Sequence, residues 1–278
     1  ALDTTTYTCS LRGILKKEKG TRKNLIVVGD FVLFDPKESV IDHVEERHSI
    51  LSRQEHLHRK TEQLLAANVD QILIIVSVQQ PRIKPSLIDR YIIASLKGNM
   101  EPVLVINKAD LSGEVKSIVQ TYRNIGIPVI VLSAKSGEGI EELEKQMKGR
   151  LSCFAGQSGV GKSSLINAVT GLDLRVGEIS AHNEKGVHTT TTARLIPLCC
   201  GGWCIDTPGI RSFGVWDLTR EDLIQYFPEI AQIGKRCKYA DCSHTHEPDC
   251  AVVAALEKEE IPPLRYESYC NLLDEITE

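Results

Sequence analysis

The 278 residues predict three structural units: a small N-terminal β-barrel of the OB type, a central α/β unit with a mostly parallel sheet, and a C-terminal α-helical unit. Three observations carry this. Short apolar runs at 71–78, 103–107, 128–133, 151–155, 194–198 and 203–206 alternate with helical patterns at 86–97, 114–123, 140–147 and 162–169, the signature of βαβ construction. Before them, runs at 7–15, 25–28, 30–34 and 40–44 have strand length, and turn residues separate them at the spacing of a small barrel. After them, helical segments at 251–258 and 264–276 are split by Pro262 and Pro263 and follow a group of cysteines. The expected boundaries are 1–66, 67–214 and 215–278.

At 42% hydrophobic and 25% charged residues the composition is that of an ordinary globular chain. No run approaches the ~18 apolar residues of a membrane span, and no signal peptide opens the chain. The expectation is a cytoplasmic monomer without a membrane partner. Thiols stay reduced there, so nine cysteines argue for a metal site rather than a disulfide framework. The net charge of −4 is uneven: 215–278 carry 6 Lys/Arg against 14 Asp/Glu, whereas 1–66 carry 11 against 10. Whole-chain charge therefore argues neither for nor against nucleic acid, and any RNA contact rests on local patches.

The sharpest motif runs from Gly156 through Gln157, Ser158, Gly159, Val160, Gly161 and Lys162 to Ser163, fitting G-x-x-x-x-G-K-[ST], with Ser164 following. It leaves a strand and opens a helix. Its glycines let backbone N–H groups turn toward phosphate oxygens, and the helix N-terminus adds positive potential. Lys162 is expected to reach the β- and γ-phosphates and Ser163 to ligate Mg²⁺.

Asn107, Lys108, Ala109 and Asp110 follow another strand as N-K-x-D. An aspartate here accepts from N1–H and the 2-amino group of guanine, donors that adenine lacks. The stem of Lys108 suits the base plane, and Ser133, Ala134 and Lys135, after a further strand, can offer a backbone N–H to guanine O6. Together with the phosphate loop these define a site for GTP and GDP. A third motif, Asp206-Thr-Pro-Gly209, follows 203–205. Asp206 is placed to hold the Mg²⁺ shell and the Gly209 N–H to sense the γ-phosphate.

Many GTPases place a water-orienting Gln after that glycine; here Ile210 has neither donor nor acceptor. His188, in the run 186–192, is the candidate replacement, accepting from water when neutral; a solvent-exposed loop histidine is the alternative. In the same run Thr190 or Thr191 is expected to cover Mg²⁺ and the γ-phosphate, and spacing does not decide between them.

The motif order is base-reading, S-A-K, phosphate loop, threonine run, D-T-P-G, a circular permutation of the order that begins with the phosphate loop. D-T-P-G thereby becomes the last motif and leads straight into 215–278, so a γ-phosphate-dependent movement at Gly209 would pull on the C-terminal unit.

In that unit Cys237, Cys242 and Cys250 supply three thiolates, and His244 or His246 a fourth ligand. The set suits a closed, structural zinc rather than a catalytic one. In the N-terminal unit Lys16, Lys17, Lys19, Arg22 and Lys23 occupy one basic loop, and Arg53, Arg59 and Lys60 stand near His56 and His58. Such loops are usually solvated surface, although OB barrels do bind nucleic acid through loops.

With Ala67-Asn-Val-Asp70, Asn107 to Asp110, Gly156 to Ser164, His188-Thr-Thr-Thr191, Asp206 to Gly209 with Arg211-Ser-Phe, and the cysteine cluster, nearly the whole chain resembles the bacterial small ribosomal subunit biogenesis GTPases, permuted GTPases that mature the 30S particle. The resemblance implies an OB barrel contacting 16S rRNA, hydrolysis stimulated by the 30S subunit, a catalytic histidine at His188, and His244 as the zinc ligand. Residues 1–66 depart from the family in looking short, as if a first strand were missing. The resulting expectation is a GTP hydrolase of late 30S maturation that docks with GTP and leaves after hydrolysis. Two alternatives stand beside it: a GTP-sensing rRNA-binding module with negligible hydrolysis, and a permuted GTPase of the large subunit.

Overall fold

The computed structural model describes residues 5–13, 25–54, 62–111, 113–172, 193–206 and 218–277. In the N-terminal part, β1 (Ser10–Leu11), β2 (Val32–Asp35) and β3 (Val40–Val44) form a three-stranded sheet, with β3 parallel to β1 and antiparallel to β2. A separate antiparallel hairpin joins β4 (Ile50–Gln54) to β5 (Glu62–Ala67). Among the described residues the two are not one closed sheet; Val28, beside Ala66 in an isolated parallel bridge, lies between them. Arg47 secures the loop before β2, donating from Nε to Asp30 (2.6 Å) and from Nη2 to the Leu25 carbonyl (2.8 Å).

The central sheet has the order β10-β11-β9-β6-β7-β8. Its members are β6 (Gln71–Ser77), β7 (Glu101–Asn107), β8 (Val129–Val131), β9 (Leu151–Ala155), β10 (Arg194–Pro197) and β11 (Trp203–Asp206). All neighbours run parallel except the edge strand β10. Every residue of β6 is buried, because helices cover both faces of a parallel sheet. Side chains alternate between faces. Ile72, Ile74, Leu104 and Ile106 pack against α1 (Pro85–Lys97) and α2 (Lys116–Asn124). Leu73, Ile75, Val103 and Val105 pack against α3 (Ile140–Met147) and α4 (Lys162–Thr170). Pro85 opens α1 at a position where its missing N–H costs nothing.

The C-terminal part holds α5 (Arg220–Gln225), α6 (Pro228–Gly234), α7 (Ala251–Glu257) and α8 (Pro263–Thr277). The sequence pattern predicts only the last two. At six and seven residues, α5 and α6 are too short to display a 3.6-residue period. Their start signals were available: a reciprocal Thr219–Asp222 capping box for α5 and Pro228 at the first turn of α6. Leu223, Phe227, Ile230, Val252, Tyr269 and Leu272 form the core of this part, and Ile93 of α1 enters it. The same contact carries charge. Arg265 of α8, 1% exposed, reaches Asp89 of α1 with Nη1, Glu229 of α6 with Nε (2.6 Å) and the Tyr226 carbonyl with Nη2 (3.1 Å). Its guanidinium lies 4.1 Å from the centre of the Phe227 ring. No helix among the described residues is long and apolar enough to cross a membrane.

Candidate active site

Because β7, β8, β9 and β11 point the same way, the segments leaving their C-terminal ends gather at one edge of the sheet. Three widely separated motifs meet there. The loop after β9 takes positive φ at Gly156 (137°), Gly159 (83°) and Gly161 (96°), a region costly for any other residue. A Cβ at Gly156 would stand 2.2 Å from the Ile75 carbonyl oxygen, and one at Gly161 2.3 Å from Asn107 Nδ2. The loop is thus pressed against the backbone of β6 on one side and the base-reading segment on the other.

Asn107 ties these pieces together. Its Nδ2 donates to the Val160 carbonyl (2.9 Å), while its Oδ1 accepts from the N–H groups of Ala134 (3.1 Å) and Lys108 (2.7 Å). Ser133 donates from its hydroxyl to Asp110 Oδ1 (2.6 Å). This bond, with smaller help from Lys135 and Lys108, holds the Asp110 carboxyl below the usual aspartate range, so it stays an ionised acceptor. Lys108 takes a left-handed φ of 63° and donates from Nζ to the Gln80 carbonyl (2.6 Å). An open cleft of about 440 Å³ runs from Asp110 and Lys135 past Asn107 and Ala134 to Gly161 and Ser164 at the start of α4. Lys162 bends back at its mouth, with Nζ 2.8 Å from the Gly156 carbonyl and 2.6 Å from that of Gln157.

Ser163 lies in the first turn of α4. Ile205 is in register with Cys153, so the backbone of Asp206 emerges beside the strand that carries the phosphate loop. Serine and aspartate are residue types with hard oxygen donors, which fit Mg²⁺. His188, Thr190, Thr191, Gly209 and Ile210 lie outside the described residues.

A second cluster lies in the C-terminal part. The ligand atoms of Cys237, Cys242, His244 and Cys250 all fall within 4.8 Å of one another. Cys237 Sγ is 3.5 Å from His244 Nδ1 and 3.9 Å from Cys250 Sγ, and Cys250 Sγ is 3.8 Å from the same nitrogen. Tetrahedral zinc with Zn–S bonds of ~2.3 Å gives ligand separations of about 3.8 Å, so the cluster fits a structural zinc. Burial lowers the His244 pKa, which keeps the imidazole neutral and able to ligate. Burial, then the neighbouring thiols, push Cys242 up to about 12, a cost that a cation would offset. His246 is exposed, with its Nδ1 2.8 Å from Thr245 Oγ1, and takes no part in the cluster.

Around the cluster, Tyr266 donates to the His244 carbonyl (2.9 Å), and the Glu247 carboxylate accepts the Ser243 N–H (2.6 Å). Gly234 at the end of α6 faces the imidazole, and a Cβ there would stand 2.8 Å from His244 Nε2. Gly234→Ala is therefore expected to displace the ring and weaken zinc binding about tenfold or more. Competition with a chromogenic chelator measures this; affinity within twofold of wild type would show that the ring has room to move.

A G-x-x-x-x-G-K-S loop, an N-K-x-D segment that precedes it in the chain, and an aspartate-bearing strand at the same edge of a parallel sheet define a circularly permuted P-loop GTPase. The RsgA GTPase family model matches residues 44–216. A small ribosomal subunit biogenesis GTPase RsgA from Chlorobaculum parvum is 44% identical over 269 residues, spanning 92% of this chain and 86% of the relative. The one from Moorella thermoacetica is 41% identical, spanning 97% and 90%. Among solved structures, YjeQ from Thermotoga maritima aligns with a TM-score of 0.74 at 35% identity over 97% of this chain and 89% of its own. YloQ, described as a circularly permuted GTPase, aligns with a TM-score of 0.71 at 30% identity over 98% and 86%. The chain belongs to the RsgA GTPase family and is a GTP hydrolase.

Proposed function

We propose that this GTP hydrolase acts in late maturation of the small ribosomal subunit. GTP favours docking on the 30S particle, the particle stimulates hydrolysis, and GDP favours release. The observation that carries the reading is the shared sheet edge: base-reading segment, phosphate loop and Asp206 strand meet there, and the chain leaves that strand for the zinc-type helical unit. The relatives' names supply the assembly context.

In this reading Asp110 reads the guanine edge, the N–H groups of 156–163 and the Lys162 ammonium hold the β- and γ-phosphates, and Gly209 senses the γ-phosphate. Ser163 and Asp206, with Thr190 or Thr191, hold Mg²⁺, which when bound offsets charge on the phosphate oxygens. Neutral His188 orients the attacking water where Ile210 cannot. One zinc, held by Cys237, Cys242, His244 and Cys250, staples residues 215–278. Residues 1–66 form an OB-like unit whose Lys16, Lys17, Lys19, Arg22, Lys23, Arg53, Arg59 and Lys60 contact 16S rRNA, and 67–214 form the GTPase unit. The protein works as a cytoplasmic monomer.

The test is GTP turnover by wild type and His188→Ala, each with and without purified 30S particles. The expected result is stimulation by 30S that falls about 10²-fold or more in the variant, the low end for a lost proton-handling group, with nucleotide affinity kept. Ile210 supports a second reading, a GTP-sensing rRNA-binding module with slow turnover. Absence of stimulation in the wild type would establish that reading in place of the first.

A further inference from the structure

Spacing alone lets either His244 or His246 complete the set of Cys237, Cys242 and Cys250. The backbone separates the two. His244 takes a left-handed φ of 62°, a conformation that disfavours any residue with a Cβ and persists only where the surroundings hold it. The turn aims the imidazole into the cluster, with Nδ1 3.5 Å from Cys237 Sγ and 3.8 Å from Cys250 Sγ, while His246 stays at the surface.

Two phenols of α8 hold that turn. Tyr269 donates to the Ser243 carbonyl (3.1 Å) and Tyr266 to the His244 carbonyl (2.9 Å). These carbonyls lie on either side of the His244 Cα. The peptide plane before it and the plane after it therefore each have an outside anchor, which fixes the two rotations between them. Glu247 adds to this by accepting the N–H groups of Ser243 (2.6 Å) and Thr245 (3.3 Å). Residues three apart share one face of a helix, so both hydroxyls leave α8 on the same side. The helix itself is placed by contacts that involve no metal ligand. Arg265 joins Asp89 and Glu229, and Tyr269, 1% exposed, meets the Phe227 ring edge-on at 5.4 Å.

We propose that Tyr266 and Tyr269 are positioning residues for the metal ligand His244: their hydroxyls hold its left-handed turn before zinc arrives and so select it over His246 as the fourth ligand. Neither phenol touches the metal in this role. Without them the turn relaxes, and binding must restore it, which lowers affinity without changing the ligand set. The inference rests on the reading of the cluster as a zinc site.

The test uses the full chain with Tyr266→Phe, Tyr269→Phe and both together, which keep the rings and their packing. Zinc dissociation constants are measured by competition with a chromogenic chelator, at a temperature where all the proteins are folded. Each single variant is expected to bind zinc about three- to tenfold more weakly, the range for one buried hydrogen bond, and the double variant more weakly than either. His246→Ala should bind zinc as the wild type does; a loss of affinity there would show that the turn selects nothing and overturns the proposal. Hydroxyls that serve only the packing of α8 would lower the melting temperature and leave zinc affinity where it is, and that result overturns it too. If the tyrosine variants do not fold, hydrogen exchange in zinc-free wild type decides. Amides of Ser243 and Thr245 that stay protected support a turn set in advance, and loss of their protection overturns it. Wild type that binds zinc no better than Cys237→Ser would sink the zinc reading and this one together, whereas tight wild-type binding with unaffected tyrosine variants overturns the positioning role alone.

Discussion

Asp110→Asn is expected to lower affinity for GTP about 10²- to 10⁴-fold and to raise affinity for xanthosine triphosphate. The wild-type carboxylate receives the Ser133 hydroxyl on Oδ1, which fixes its plane and helps keep it ionised. It still has acceptor capacity for N1–H and the 2-amino group of guanine. Two hydrogen bonds to a charged acceptor contribute roughly 1.5–3 kcal/mol each, which spans that fold-change. An asparagine amide turns one acceptor into a donor, so it meets the 2-amino group of guanine donor to donor. Xanthine has a carbonyl at that position and accepts from the same amide. Competition binding against labelled GDP measures both effects. Unchanged affinity for both triphosphates would mean that the base is read elsewhere than in the cleft beside Asp110 and Lys135.

Such a swap can be designed because the base-reading chemistry is local in sequence, and the same is true of the central sheet. β9 and β11 have the bounds their apolar runs predict, and β6, β7 and α1 differ from expectation by at most two residues at an end. Buried parallel strands are continuous apolar runs, so their signal needs no partner to be recognised. The N-terminal part lacks that advantage. Of the described part of the expected strand at 7–15, Ser10–Leu11 is strand, and the sequence pattern does not predict the β4–β5 hairpin. Its buried residues Leu51, Leu64, Ala66 and Ala67 pair with neighbours that alternate with no regular period, and Ser52, Arg53 and Gln63 add only polar positions.

At the site, glycine spacing and N-K-x-D single out segments that the fold brings to one sheet edge, but the motif alone gives Asn107 only a part in base binding. Its bonds to Val160 and Ala134 cross 53 and 27 positions of chain and exist only once the sheet has formed. Arg265 and Asp89, 176 positions apart, read as ordinary solvent-facing charges on two helices.

That hidden pair has the largest expected effect on stability. Arg265→Ala should cost about 3–5 kcal/mol, the usual consequence of leaving a buried charge without its partner. Asp89 is fully buried, and burial pushes its pKa up while Arg265 pulls it back. Without the guanidinium the carboxyl takes up a proton at higher pH than in the wild type. Its folded pKa then lies further above the unfolded value, so the neutral form is the stabilising one. The deficit should therefore be greatest at neutral pH and shrink as pH falls through the folded pKa of Asp89. Glu229, partly exposed, can turn toward water and adds less; Tyr122, also close to Asp89, stays neutral because burial holds its pKa well up. Joint replacement by Asp89→Leu and Arg265→Met removes both charges at similar volume and should recover most of the loss. Urea titrations of the three proteins at pH 7 and in mild acid measure this. A loss under about 1 kcal/mol for Arg265→Ala would assign the contact between α1 and α8 to apolar packing around Ile93 alone. A large loss would make this ion pair the anchor that holds α1, and with it the parallel sheet it packs on, to the unit that follows Asp206.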